Sequence, residues 1–273
     1  MLNSDNLVFR SLDRFTHKSD ATGDVYFVAD DLQDATLTSG EEVVYGTGKQ
    51  GRRISDLKKN KTAGLSFNNG FVSLGQMATQ FGGSVEVAND ATMVVPQVEF
   101  LTVAADSGTT AVTTFKAEGI AGAEIKVAYK ANPDKTRSFR DDNKFTQGAT
   151  ATAAKVFAYN PTTKTITFHA DSGLVEGDVI LVTYNYKSKG IKISNSSEKF
   201  SKKGYGILDA TVSTSCDDET VYHARYVFPK FSASGQFDLA LGGDQTVHGF
   251  SGEALFNPCG GGELYSLIIP EDD

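Results

Sequence analysis

Between Arg225 and Pro258 the hydrophobic and polar positions alternate with a period of two. Phe231, Ala233, Gly235, Phe237, Leu239 and Leu241 fall on one parity, and Lys230, Ser232, Ser234, Gln236 and Asp238 on the other. That pattern predicts a half-buried antiparallel strand over Phe231–Leu241. Gly242-Gly243-Asp244 supplies the positive φ angles of a tight turn. Beyond it Phe250, Ala254 and Phe256 share a parity, with Ser251 and Glu253 between them, predicting a second strand over Val247–Phe256. A long two-faced hairpin without a catalytic residue type suits a protein that builds a wall.

Upstream, Val25–Ala29 and Ala63–Phe67 look like strands, separated by a long charged connection, 30–62, with a brief strand-like piece at Val43–Tyr45. Connections of that length are usually functional or mobile. Residues 1–18 form a short mixed segment whose Leu7, Val8, Phe9, Leu12 and Phe15 can dock on a core. One helix is predicted after Phe67: Asn68 or Asn69 caps it, Phe71, Leu74, Ala78 and Phe81 form its apolar stripe, and Gly82-Gly83 ends it. The middle of the chain alternates strand and turn. Candidates are Phe100–Ala104, Val112–Phe115, Ile125–Tyr129, Val156–Tyr159, Thr165–His169 and Val179–Tyr186, with turns at Asn132-Pro133-Asp134 and Asn160-Pro161-Thr162. Asp209–Cys216 and Thr220–Phe228 add two more strands before the closing hairpin.

Composition supports the β reading. The 273 residues include 27 glycines, 6 prolines and no tryptophan, with Val, Thr, Phe and Tyr in short runs. The length allows one large β domain or two smaller ones. Cys216 and Cys259 give no disulfide framework or metal spacing. The absence of an apolar run near the ~20 residues of a membrane span, and of a signal-peptide core, leads to the expectation of cytoplasmic synthesis without export. The net charge is −8, unevenly spread. Residues 29–42 carry Asp30, Asp31, Asp34, Glu41 and Glu42 and no base. Residues 49–61 carry Lys49, Arg52, Arg53, Lys58, Lys59 and Lys61 against Asp56, a net +5. Residues 187–203 carry Lys187, Lys189, Lys192, Lys199, Lys202 and Lys203 against Glu198, again +5, leaving −18 elsewhere. Opposed clusters suit solvated loops or self-association. Nucleic-acid binding fits less well, since the basic segments lack interleaved aromatics.

Catalytic chemistry finds little support. Gly46-Thr47-Gly48-Lys49-Gln50-Gly51 fits G-x-G-x-x-G, but no βαβ unit surrounds it and a charged segment follows, so a loop tip is expected. His17, His169, His223 and His248 are scattered. Asp217-Asp218-Glu219 and Asp141-Asp142-Asn143 lack the alternation of a calcium loop. No nucleophile elbow is present, so the expectation is no enzyme, no metal and no cofactor.

Two regions, Glu41–Gly83 and Arg225–Pro258, carry a family resemblance. A charged loop, a strand, an amphipathic helix and a Gly-rich end, followed far downstream by the hairpin closing on Asn257-Pro258, resemble the tail tube (major tail) proteins of long-tailed bacteriophages. The resemblance implies a mainly β fold, with orthogonally packed antiparallel sheets in a tail-tube-like sandwich or barrel and one flanking helix. Residues 1–97 with 189–273 would form that core, and 98–188 a β-rich middle block, either an insertion or a continuation of the same sheets. It also implies self-assembly into stacked hexameric rings with an acidic lumen through which DNA passes without specific binding. The remaining partners would be other tail proteins: tape measure, tail terminator and, in contractile tails, a sheath. The setting would be the virion tail, assembled in a bacterial cytoplasm without a membrane. Asp30, Asp31, Asp34, Glu41, Glu42, Arg52, Arg53, Lys58 and Lys59 would then bridge subunits. Ser232, Ser234, Gln236, Asp238, Ser251 and Glu253 would face the lumen. Rival readings are another virion β-sandwich, such as a capsid decoration or tail completion protein, and a carbohydrate-binding module using Tyr129, Tyr159, Tyr184, Tyr186 and Tyr205.

Overall fold

The computed structural model describes residues 6–104, 111–113, 125–136, 143–215, 217–237, 247–258 and 261–270. The first compact unit, Met1–Glu86 with Lys192–Asp273, holds β1 (Leu7–Lys18), β2 (Val25–Ala29), β3 (Leu32–Thr47), β4 (Arg53–Asn69) and α1 (Leu74–Phe81). The second, Val87–Ile191, holds β6 (Ala111–Thr113), β7 (Val127–Ala131), β8 (Lys144–Gly148), β9 (Val156–Asn160) and β10 (Thr165–Phe168). Two strands, β5 (Val85–Thr102) and β11 (Val179–Ile193), run across the boundary. The chain returns to the first unit with β12 (Lys203–Thr214), β13 (Asp217–Ala233), β14 (His248–Ala254) and β15 (Ser266–Ile268). The expectation of a mainly β protein with one short helix is borne out.

In the first unit the strand order is β2-β1-β12-β13-β14-β4-β3, with β15 also on β13, and every pairing is antiparallel. This sheet must curl. A flat sheet would separate β1 from β4, four strands away, by about 19 Å. Yet the Phe15 ring of β1 and the Phe67 ring of β4 meet at a tilt with centroids 5.5 Å apart, and the ring of Phe27 of β2 lies 5.2 Å from that of Phe250 of β14. The ends of the sheet therefore fold over a shared core that also includes Leu65, Leu208, Phe228 and Phe231. Phe228 and Phe231 are three residues apart and both buried, which strict alternation forbids. A bulge solves this: β13 slips register between Phe228 and Phe231 against Gly206 and Gly204 of β12. Pro229, lacking an N–H, occupies that slip.

The second unit's strand order is β5-β11-β7-β8-β9-β10-β6, with β8 and β9 parallel. Ile180, Val182 and Tyr184 of β11 are buried as their parity predicts, and join Phe145, Phe157, Ile166 and Phe168 in a core of their own.

Several expectations are corrected. The connection 30–62 is not a loop: Leu32–Thr47 and Arg53–Asn69 pair as a long hairpin from Leu32↔Asn69 to Thr47↔Arg53. Its outer half is exposed on both faces, so no hydrophobic alternation marks it. Residues 7–18 form β1, an interior strand between β2 and β12. The helix begins at Leu74 with Ser73, not Asn68 or Asn69, as its cap; the Ser73 hydroxyl accepts from the Gln76 N–H at 3.3 Å. The regular part of the strand expected to reach Leu241 ends at Ala233, and residues 238–246, including the Gly-Gly-Asp turn, lie outside the described residues. Cys216 and Cys259 lie outside them too. β8 was not foreseen, and β5 begins 15 residues before the expected Phe100.

Candidate functional site

Two features of the first unit stand out: a polar groove on the sheet and the hairpin arm of β3 and β4. The groove, about 510 Å³ in volume, runs over β3, β4, β13 and β14. Thr38, Ser66, Ser232, Ser234, Gln236, Ser251 and Glu253 are its polar side chains. Cross-strand pairing explains the gathering. Ser232 lies opposite Glu253, and Ser251 opposite Ser66. The Ser234 N–H donates to the Ser251 carbonyl at 2.8 Å, holding β13's continuation to β14 beyond Ala233. Five of the six residues expected to face a lumen thus line one groove, and the sixth, Asp238, lies outside the described residues. Thr38 and Ser66 join them without having been singled out. Among the described lining residues Glu253 alone is charged, so the groove is a hydroxyl surface rather than a strongly acidic one.

The arm carries seven of the nine residues expected to bridge subunits, and the other two lie just before it. Asp30 and Asp31 occupy the β2–β3 turn, Asp34 stands at a bulge near the base, and the others lie along the ladder or at its tip. The opposed charges meet within the chain: Lys58 contacts Glu41 at 2.9 Å and Lys59 contacts Glu42 at 3.4 Å, while the Asn60 amide donates to Glu42 at 2.6 Å. The Arg53 guanidinium lies 3.9 Å from the Tyr45 ring centroid. The glycine motif forms the tip. A single 3₁₀ turn, Lys49–Gly51, follows Gly48, and β4 starts at once, so no helix is there to cradle a phosphate. Ile54 and Leu57 are 73% and 64% exposed on this arm.

Behind the sheet α1 docks through polar side chains. Gln76, Thr79 and Gln80 are buried together with Ala78, whereas Phe71 and Leu74 of the expected apolar stripe are exposed. The Gln80 amide donates to the Gln236 carbonyl at 2.9 Å and the Gly249 carbonyl at 3.2 Å, and its oxygen meets His248 Nε2 at 2.8 Å. The Asn69 amide donates to Gln76 Oε1 at 3.1 Å. Burial lowers the His248 pKa. His17, fully buried among Phe15, Tyr26, Phe27 and Phe231, has its pKa lowered to about 4. Loss of hydration is the main cause; the Phe231 backbone opposes it and the Lys202 charge reinforces it. The sequence signal for α1's true start was Ser73-Leu-Gly-Gln76, a capping box; nothing local marked the glutamines as buried.

Among the described residues no group of three or more His, Cys, Asp or Glu side chains could hold a metal ion, and no helix is long and apolar enough to cross a membrane. No curated protein matches the chain. The family model described as YomU/Tube protein family matches residues 8–263.

Proposed function

The chain belongs to the YomU/Tube protein family, and from that membership we infer that it is a structural subunit of a phage tail tube. On this reading copies assemble into hexameric rings, rings stack, and the hollow stack conducts the genome. Its other partners would be further tail proteins, such as the tape measure and terminator. The observation that carries the reading is the division of the curled sheet: aromatic residues fill its inside, and a hydroxyl-rich groove free of basic side chains among its described lining residues occupies the surface over β3, β4, β13 and β14. Among the described residues that line the groove there is one carboxylate and no cation, so this lining gives DNA phosphates nothing to grip, which suits passage without binding. The arm would reach neighbouring copies, since its exposed apolar side chains have no core of their own to enter.

Negative-stain microscopy of the purified chain at rising concentration tests this. Rings or tubes are expected, and particles that stay dispersed at every concentration overturn it. Orientation is tested by labelling E253C, in a chain with Cys216 and Cys259 replaced by serine, with a bulky maleimide. The thiol should react in free subunits and be protected along assembled tubes; full reactivity within tubes would place the groove outside.

A further inference from the structure

The start of α1 leaves apolar side chains in solvent. A surface helix ordinarily hides its apolar residues, and α1 does bury Ala78 together with Gln76, Thr79 and Gln80, but its first residue, Leu74, and the preceding Phe71 and Val72 are exposed, Phe71 by 66%. At the other end of the helix the loop 194–202 is fixed in place. The Lys202 N–H donates to the Thr79 carbonyl at 2.9 Å. Gly82, at φ +71°, lets the Phe200 backbone lie where a side chain would otherwise project. A loop held this firmly nonetheless presents Phe200 to solvent, 82% exposed, between Lys199 and the pair Lys202-Lys203. A pre-positioned aromatic with a charged rim is the composition of an interface anchor.

We propose that this α1–loop surface receives the outer edge of the β3 strand, Glu41–Tyr45, from the arm of a second copy. The inference rests on the tube reading and names what the arm would bind. Three properties match. The first is charge: β3 carries Asp34, Glu41 and Glu42 and no base, opposite to the lysines around Phe200. The ion pairs of Glu41 and Glu42 inside the arm are exposed, and a carboxylate has acceptor sites left for a second cation. The second is apolar surface: Val44 and Tyr45 are exposed beside those carboxylates. The third is the backbone: β3 ends the sheet, so its far side lacks a strand partner among the described residues and would be covered on docking.

Donor and acceptor lie on different parts of one chain, so the contact propagates head to tail, and mixing defective copies tests it. F200S removes the anchor, and V44K sets a like charge against the lysines. Each variant is first checked by circular dichroism and thermal melting, and a Tm within a few degrees of wild type admits it; F200A and V44T replace any variant that fails. Each alone should need at least tenfold more protein to assemble. A 1:1 mixture should give discrete dimers by analytical ultracentrifugation, because one intact strand meets one intact surface. Tubes from F200S at the wild-type concentration, or a mixture that stays monomeric, overturn the docking and leave the tube reading standing. Wild-type protein that stops at dimers, with both variants monomeric and their mixture dimeric, overturns the tube reading and leaves the docking standing. Wild-type protein that remains monomeric overturns both.

Discussion

His17 should make the first unit lose stability in mildly acidic solution, and its replacement by leucine should remove that loss. The ring is fully buried, and among the described residues neither nitrogen finds a hydrogen-bond partner of good geometry. In the folded protein its pKa is about 4, against 6.5 when exposed. The lowered value means that between these pH values the unfolded chain binds a proton that the folded chain refuses. Stability is therefore intact above about pH 6.5, falls as pH drops through the window, and levels off below about 4. At about 1.4 kcal/mol per pKa unit, the full loss is about 3 kcal/mol. The variant H17L has no proton to take up. It also removes a desolvated polar ring without partners, so at pH 7 it should be neutral to stabilising, by up to about 2 kcal/mol. The assay is urea unfolding of the monomer at half-unit steps from pH 7.5 to 4. Subtracting the variant curve from wild type cancels His248 and the carboxylates common to both. Parallel curves across the window would refute the reasoning, because they would mean that His17 is solvated or paired in the folded state.

Other outcomes follow from the same geometry. G82A should destabilise by about 2–3 kcal/mol, lowering Tm by roughly 5–10 °C, since it combines a positive φ with a collision against the Phe200 backbone; a differential scan that moves by less than a degree would contradict it. Q80L should cost about 3 kcal/mol in chemical denaturation, because it strands His248 Nε2 and the Gln236 and Gly249 carbonyls. E41Q with E42Q should change monomer stability by under 1 kcal/mol, since both ion pairs are solvent-exposed. The same double variant should raise the concentration needed for assembly at low salt, read by light scattering.

Where one face of a strand is buried, the chain announces it. Ile180, Val182 and Tyr184 alternate because the second core takes one side of β11, and Phe231 and Ala233 alternate for the same reason in β13. The serines and Glu253 were legible as the opposite parity of those strands. The arm was not legible, because Glu, Lys, Asn and Gly on both faces leave no period to detect. Its pairing is carried by backbone and by cross-strand charge. The buried side of α1 was illegible for another reason. In eight residues, Gln76-Thr79-Gln80 is as good a helical stripe as Leu74-Ala78-Phe81, and α1 buries the first together with Ala78 of the second. The burial of the glutamines is decided by carbonyls of Gln236, His248 and Gly249, more than 150 residues away in sequence. Only tertiary structure supplies those acceptors.

Charge separated along a chain need not be separated in space. The acidic block 29–42 and the basic block 49–61 suggest two surfaces that attract other copies, but the hairpin lays one block against the other and Glu41 and Glu42 find Lys58 and Lys59 at home. What survives the cancellation is an asymmetry between strands. β3 retains only acids, β4 has a net +3, and the turn between them adds Lys49 and Arg52. An approaching copy therefore meets a negative edge from one side and a positive tip from the end, although the two strands of the arm cancel and the tip leaves it at only +2. The net −8 of the whole chain makes free subunits repel at a distance, and the local asymmetry acts only within about a Debye length, roughly 8–10 Å at physiological salt. Selectivity of this kind is a short-range property, so added salt should slow assembly without changing which surfaces meet.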